Sequence, residues 1–142
     1  MILYCDTSAL MKLFVEEPHS TLMQSAAVES ERVMVSMLTW AELLAALSRK
    51  QRTGQVEAKQ VSRVLGEIES EWPRYYKLGV DKELIADAGQ LALRFGLRGY
   101  DSVQLATAQR AQKLLGSAMT FCCFDKQLNV AARALNLETV SP

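Results

Sequence analysis

Short apolar segments alternate with longer amphipathic segments along almost the whole chain. The first apolar segment, "ILYC", leads directly into Asp6, and the segment "RVMV" carries the β-branched Val33 and Val35. After the second segment, apolar residues recur at the helical spacing i, i+3, i+4 and i+7 in "WAELLAAL". Strands that alternate with helices predict a parallel sheet covered by helices on both faces.

The pattern predicts an α/β fold with about five short strands and seven helices. The strands are expected at residues 2–5, 32–37, 75–80, 117–124 and 137–140. The helices are expected at residues 8–15, 20–29, 39–53, 55–71, 81–95, 101–115 and 125–135. Pro18, Gly54 and Pro73 are typical of breaks between helices. In such a sheet, ligands bind beyond the carboxyl ends of the strands.

The length and composition are those of one globular domain, expected to span residues 1–142. Charged residues interrupt every apolar stretch well before the ~18 residues that a transmembrane helix needs. The first residues also lack the basic region and the cleavage site of a signal peptide. We therefore expect no membrane span, no secretion signal and a cytoplasmic location.

The charges balance, with 16 Lys and Arg against 16 Asp and Glu. This balance excludes a strongly basic nucleic-acid-binding protein, although a local basic patch remains compatible with it. Candidate phosphate contacts are Arg49, Lys50 and Arg52 of "RKQR", together with Arg94 and Arg98. The first three are equally typical of a solvated helix end, where cations interact favourably with the helix dipole.

Cysteine and histidine leave little room for zinc or triad chemistry. Cys5, Cys122 and Cys123 lie in apolar segments and form no C-x-x-C pair, so we expect buried, reduced thiols. The single histidine, His19, has no nucleophile motif near it. Chemistry in this chain must therefore depend on carboxylates, hydroxyls, Lys, Arg or a bound cation.

Four acidic residues follow predicted strands or begin predicted helices: Asp6, Glu42, Asp101 and Asp125. Each has a structural explanation. The three aspartates are good candidates for helix N-caps, each worth about 1 kcal/mol. Thr39-x-x-Glu42 matches a capping box, and a solvated helix face would also account for Glu42.

Together the four acids point to a shared site. The carboxyl ends of parallel strands meet at one edge of the sheet, where clustered carboxylates repel one another unless a cation or a proton neutralises them. Oxygen ligands without Cys or His suit Mg²⁺ or Mn²⁺. The spacing therefore predicts an acidic divalent-metal site, and more weakly a nuclease that hydrolyses phosphodiesters without histidine.

Four segments resemble the PIN-domain ribonucleases, and above all the VapC-type toxins of toxin–antitoxin pairs. They are "MILYCDTSALMKLFVEE", "SMLTWAELLAAL", "LRGYDSVQLATA" and "FCCFDKQLNVAARALNL", and the resemblance covers essentially the whole chain. It implies a PIN-like three-layer α/β/α fold and an endoribonuclease that depends on Mg²⁺ or Mn²⁺. It also implies a homodimer, held inactive by a cognate antitoxin whose C-terminal segment enters the active-site groove.

The same resemblance assigns roles to individual residues. Asp6, Glu42, Asp101 and Asp125 would form the acidic quartet, and Ser8 would supply a supporting hydroxyl. Asp6 and Asp101 would be the firmest metal ligands, Asp125 a direct or water-mediated ligand, and Glu42 would position water or a second ion. The chain departs from the family pattern at one point: Cys123 stands where the family commonly has Thr or Ser, two residues before the fourth acid.

Two other interpretations remain open at this point. One is a catalytically inactive PIN-fold module that binds RNA or a protein. The other is a phosphatase or phosphoacceptor domain, which the sequence disfavours because no second aspartate follows Asp6 at i+2 and Lys126 directly follows Asp125. The identity of an RNA target is not encoded in a readable motif, since RNA recognition depends on surface shape and strand presentation.

Overall fold

Five parallel strands form a single sheet in the computed structural model, which describes residues 1–140. They are β1 (Ile2–Cys5), β2 (Arg32–Ser36), β3 (Tyr76–Leu78), β4 (Thr120–Cys122) and β5 (Glu138–Thr139), in the spatial order β3-β2-β1-β4-β5. Leu3 of the central strand pairs with Val33 on one side and Thr120 on the other. The predicted parallel α/β fold is confirmed. The last two residues of the predicted 1–142 domain lie outside the described range.

Seven α-helices within residues 1–140 connect these strands. They are α1 (Thr7–Met11), α2 (Ser20–Glu29), α3 (Leu38–Arg52), α4 (Ala58–Glu71), α5 (Lys82–Phe95), α6 (Gly99–Leu115) and α7 (Lys126–Ala134). A short 3₁₀ turn at Trp72–Arg74 contains Pro73. Over the same residues, the helices fall short of the combined length and hydrophobicity needed to cross a membrane.

The sheet buries both of its faces because successive side chains of a strand point to opposite sides. Leu3 and Cys5 face one hydrophobic cluster, which helices α1 to α4 cover with side chains such as Leu43. Tyr4 faces the opposite cluster, which helices α5 to α7 cover with side chains such as Leu105. The result is three layers, α/β/α, as the resemblance implies.

The strand order reverses at β1. The next strand of the chain, β2, lies on one side of β1, and β4 lies on the other after the chain has crossed to the opposite face. The backbone amide of Asp6 donates to the carbonyl of Cys122 at 3.1 Å, which ties the ends of β1 and β4 together. Crevices at such reversal points are where open α/β sheets bind ligands.

Helix α1 is shorter than the predicted 8–15 segment, ending at Met11. Beyond it, the amides of Leu13 and Phe14 donate to carbonyls three residues back, which tightens the chain out of the α-helical pattern. The side chains of Leu13, Phe14 and Val15 still pack against the core. Their burial produced the helix-like pattern although the backbone there is not helical.

Other predicted boundaries shift for local reasons. Helix α4 starts at Ala58, not residue 55, because Glu57 and Gln60 form a capping box. Helix α6 starts at Gly99, two residues before the predicted start at Asp101. Strand β4 is shorter than predicted because its ladder with β1 ends where Cys5 pairs with Cys122.

Gly96 ends helix α5 in the left-handed region, at φ +66°. We expect Gly96→Ala to lower the free energy of unfolding by about 1 kcal/mol, because a side chain is strained at this backbone angle. Gly89 lies in the exposed interior of the same helix, and a Cβ added there would meet no neighbouring atom within 4 Å. It supplies the matched control. Gly89→Ala should raise stability by up to about 1 kcal/mol in the same urea titration. Equal effects of the two substitutions would contradict this account of Gly96.

Candidate functional site

All four predicted acids line one cavity of about 740 Å³ at the carboxyl edge of the sheet. Ser8, the predicted supporting hydroxyl, lines it as well. The other charged residues of the lining are Lys12, Glu17, Arg49, Lys50 and Arg98. The structure therefore brings together residues from α1, α3, α6 and the loop after β4, far apart in sequence.

Asp6 follows β1 and is the N-cap of α1, so the structural explanation of this residue is correct. Its Oδ1 accepts hydrogen bonds from the backbone amide of Ala9 and from the hydroxyl of Ser8, both at 2.9 Å. The side chain is only 6% exposed. Burial raises the pKa of Asp6 from its usual 3.8 to about 6; the charge of Asp101 acts in the same direction, and the hydrogen bonds from Ala9 and Ser8 act against it. Asp6 and Asp101 are thus close enough to repel each other.

Glu42 neither forms the capping box suggested by its spacing from Thr39 nor lies on a solvated face. Helix α3 begins one residue earlier, at Leu38, and its N-cap Met37 makes no side-chain capping bond. Instead, Oε1 of Glu42 accepts hydrogen bonds from Thr7 Oγ1 at 2.6 Å and from Gln104 Nε2 at 2.8 Å. The carboxylate is therefore held across the cavity floor by residues of α1 and α6.

Asp101 lies in the first turn of α6 and is not its N-cap, which is Arg98. The predicted capping role of Asp101 is therefore wrong. Its Oδ2 accepts a hydrogen bond from Nε of Arg98 at 3.1 Å. Arg98 is 83% exposed and Asp101 28% exposed at the side chain, so this ion pair lies at the mouth of the cavity. A surface pair of this kind is worth little and exchanges partners readily.

Asp125 is the N-cap of α7, as expected, and its Oδ1 accepts from the amide of Leu128 at 2.9 Å. Its own amide donates to Sγ of Cys123 at 3.3 Å. Burial raises the pKa of the Cys123 thiol, which therefore stays protonated. The thiol donates to the backbone carbonyl of Asp125 at 3.8 Å. Cys123 thus links the end of β4 to the backbone of Asp125 through its sulfur.

A buried polar network beneath the acids was not identified from the sequence. Gln104 is 3% exposed and bonds to Glu42 and to the hydroxyls of Thr39 and Tyr4. The sequence predicts only that the helix around Gln104 is buried and poor in charge. The available signal was the glutamine itself, because a polar side chain on a buried helix needs partners in the interior.

One wall of the cavity carries a second charged cluster. Glu17 pairs with Lys12 at 3.4 Å and also with Lys50, which links the segment after α1 to helix α3. The Lys12 ammonium lies 5.0 Å from the ring centroid of Phe124, and His19 stacks on the same ring at 5.1 Å. The cavity therefore has basic and aromatic groups beside its acids.

The donor set agrees in kind with a hard divalent cation. The four acids offer carboxylate oxygens as metal ligands, and the negative charge of Asp101 acts on the buried Asp6. In residues 1–140, however, no three His, Cys, Asp or Glu side chains come close enough together to enclose an ion. Mg²⁺ is usually bound through one or two carboxylates and keeps several of its waters, so acids that line one cavity without enclosing an ion could still hold it.

Comparison with known proteins identifies the family. A family model described as "PIN domain" matches residues 3–134, and the chain belongs to the PIN-domain family. It is 34% identical to Ribonuclease VapC46 of Mycobacterium tuberculosis over 140 residues, which cover 99% of this chain and 97% of the relative.

Solved structures share the fold at low sequence identity. FitAcB from Neisseria gonorrhoeae superposes with a TM-score of 0.71 at 19% identity, covering 99% of this chain and 97% of that chain. A toxin–antitoxin complex from Klebsiella pneumoniae gives a TM-score of 0.55 at 16% identity, covering 83% of each chain. These likenesses agree with the three-layer sheet described above.

Proposed function

We propose that the protein is a divalent-metal-dependent endoribonuclease that hydrolyses RNA phosphodiester bonds as the toxin of a toxin–antitoxin pair. The observation that carries this proposal is the convergence of Asp6, Glu42, Asp101 and Asp125 on one cavity at the strand-order reversal. The full-length likeness to a protein named Ribonuclease VapC46 supports it.

The four carboxylates would hold Mg²⁺ or Mn²⁺, with Asp6 and Asp101 as the firmest ligands. When bound, such a cation lowers the pKa of a water molecule and neutralises charge on the phosphodiester. Asp6 is pre-oriented for this role because its Oδ1 is fixed by Ala9 and Ser8. Glu42 is fixed in the same way through one oxygen, and Asp125 through its capping bond to Leu128.

RNA would enter along the basic wall of the cavity. Lys12, Arg49, Lys50 and Arg98 form this wall and lie beside the five acids of the same cavity lining. Cations of this kind contact phosphates and position a strand without reading its sequence. Gly99 and Tyr100, at the start of α6, carry Asp101 to the same opening, and Tyr100 is 67% exposed.

The partners follow from the same proposal. One structural neighbour is a toxin–antitoxin complex, which supports a cognate antitoxin for this chain. A homodimer and a cytoplasmic location also belong to the proposal, the latter because Cys5, Cys122 and Cys123 are buried and free.

Light scattering on the purified chain should give the mass of a dimer. If a small protein is encoded next to this chain, adding it should stop RNA cleavage, and unchanged cleavage would count against its assignment as the antitoxin.

The decisive experiment is cleavage of a structured RNA by the purified protein. We expect products with Mn²⁺ or Mg²⁺, no products with EDTA, and recovery when the metal is added back in excess. The ends should be 5′-phosphate and 3′-hydroxyl, detected by labelling before and after phosphatase treatment. Cleavage that persists in EDTA would contradict metal dependence.

A PIN-fold module that binds RNA or protein without cutting is the second candidate. The observation that favours it is the spacing of the acids, which do not enclose an ion in residues 1–140. Manganese distinguishes the two candidates, because a ligand that binds the native state raises the melting temperature. Absence of both a melting shift and RNA cleavage in Mn²⁺ would establish the binding module.

A further inference from the structure

We propose that Gln104 is a positioning residue that fixes the carboxylate of Glu42 in the cavity. The assignment of its effect to RNA cleavage rests on the proposed function, whereas its contacts are structural. Gln104 lies on the buried face of α6, one turn after Asp101, and its side chain reaches the floor of the cavity.

The amide of Gln104 joins α6 to two other elements, α3 and β1. Nε2 donates to Oε1 of Glu42 on α3 at 2.8 Å and to Oγ1 of Thr39 at 3.0 Å. Oε1 accepts from the hydroxyl of Tyr4, on the central strand, at 2.7 Å. Both hydrogens of the amide group and its carbonyl therefore have short partners, so this side chain has a single satisfied orientation.

The chemistry of the partners selects that orientation. Carboxylate oxygens accept hydrogen bonds, so the NH₂ group faces Glu42. The Tyr4 hydroxyl donates to the amide carbonyl at 2.7 Å, so the carbonyl faces the central strand. Flipping the amide would place its oxygen against Glu42 and leave Thr39 without its donor.

The consequence for Glu42 is that one oxygen is committed and the other is available. Oε1 is held by Gln104 from α6 and by Thr7 from α1. Within residues 1–140, Oε2 makes no hydrogen bond with the protein. Partners that orient a ligating carboxylate in this way typically change metal affinity or activity by ~10- to 100-fold when they are removed.

The test is Gln104→Met, which keeps the length of the side chain and removes the amide. We expect kcat for RNA cleavage to fall by about 10- to 100-fold, and Mn²⁺ to bind several-fold more weakly by calorimetry. KM for RNA should stay within roughly threefold, since the contact lies beneath Glu42 and away from the basic wall. A purely structural glutamine would lower the melting temperature and leave kcat and Mn²⁺ affinity unchanged.

Tyr4→Phe tests the same network without touching the amide. Removing the hydroxyl frees the amide carbonyl, so kcat should fall in the same direction by a smaller factor. The double variant Tyr4→Phe, Gln104→Met should be no slower than Gln104→Met alone, because both substitutions break one chain of hydrogen bonds. Multiplicative losses would contradict the shared mechanism.

Ile68→Val is the control for stability. Ile68 is fully buried on α4 and lies outside both the network and the cavity lining, and its truncation lowers the melting temperature without reaching Glu42. This variant should keep the parent kcat. If it loses activity as Gln104→Met does, the effect of Gln104 is one of stability and the positioning role is overturned.

The experiments distinguish a failure of the ribonuclease proposal from a failure of the proposed role of Gln104. If the parent chain binds Mn²⁺ and cuts no RNA, the proposed activity is wrong, and the Mn²⁺ affinities of the two variants still decide the role of Gln104. A crystal structure of Gln104→Met without metal decides it when no Mn²⁺ binds. Displacement of the Glu42 carboxylate supports the proposal, and an unmoved carboxylate overturns it.

Discussion

In Mn²⁺, the Asp6→Asn variant should cut RNA about 10³-fold more slowly than the parent chain. The reason is that a bound cation stabilises the charged transition state by several kcal/mol. Asp6 is the most buried of the four acids that would hold this cation. Asparagine keeps the capping oxygen and the size of the side chain, so the start of α1, capped through the amide of Ala9, should survive. Initial rates on a labelled RNA, at saturating Mn²⁺, measure the loss.

Asp81→Asn provides the matched control for this substitution. Asp81 caps α5 just as Asp6 caps α1, accepting from the amide of Leu84 at 2.8 Å. It does not line the cavity and pairs with Arg110. The control should therefore cut RNA at the parent rate. Equal activity of Asp6→Asn and the parent chain would remove Asp6 from the chemistry.

The second large effect concerns stability: without metal at pH 7.5, Asp6→Asn should be more stable than the parent chain. Burial raises the pKa of Asp6 to about 6 in the native state, against 3.8 when it is solvated. A shift of about two pH units corresponds to about 3 kcal/mol, which is the cost of holding the buried charge above pH 6. Asparagine carries no charge and avoids this cost.

The stability of the parent chain changes with pH in a definite direction. Between pH 3.8 and 6 the native carboxyl retains a proton that the unfolded chain has released, so parent stability falls as the pH rises through this range. The advantage of Asp6→Asn should be absent at pH 3.5, grow to pH 6 and stay level above it. Urea unfolding in EDTA at several pH values measures the difference. A difference that does not change with pH would show that burial of Asp6 is not the source.

Much of the fold was predictable because its signals are local. The strands carry β-branched and apolar residues, and the aspartates at positions 6, 81 and 125 mark helix starts that the structure retains as N-caps. The family resemblance agrees with the match to the PIN domain over residues 3–134. The roles of the four acids and of Ser8 in metal binding remain predictions.

The prediction failed where a residue's partners lie far away in sequence. Thr39-x-x-Glu42 has the spacing of a capping box, yet Thr7 and Gln104 offer Glu42 better donors than the start of α3 does. Neither contact can be predicted from the residues next to Glu42 in the sequence, because Thr7 and Gln104 lie 35 and 62 residues away. The predicted end of α1 was wrong for a related reason, since Phe14 is partly buried by tertiary packing in a turn.

The strand order also determines when the acids can meet during synthesis. Asp6 and Glu42 leave the ribosome early, whereas β4 and Asp125 emerge only after most of the chain, and β4 must insert directly beside β1. Incomplete chains therefore lack the β1–β4 crevice and one of its walls. If the site cuts RNA, a nascent chain cannot do so until β4 has emerged and inserted beside β1.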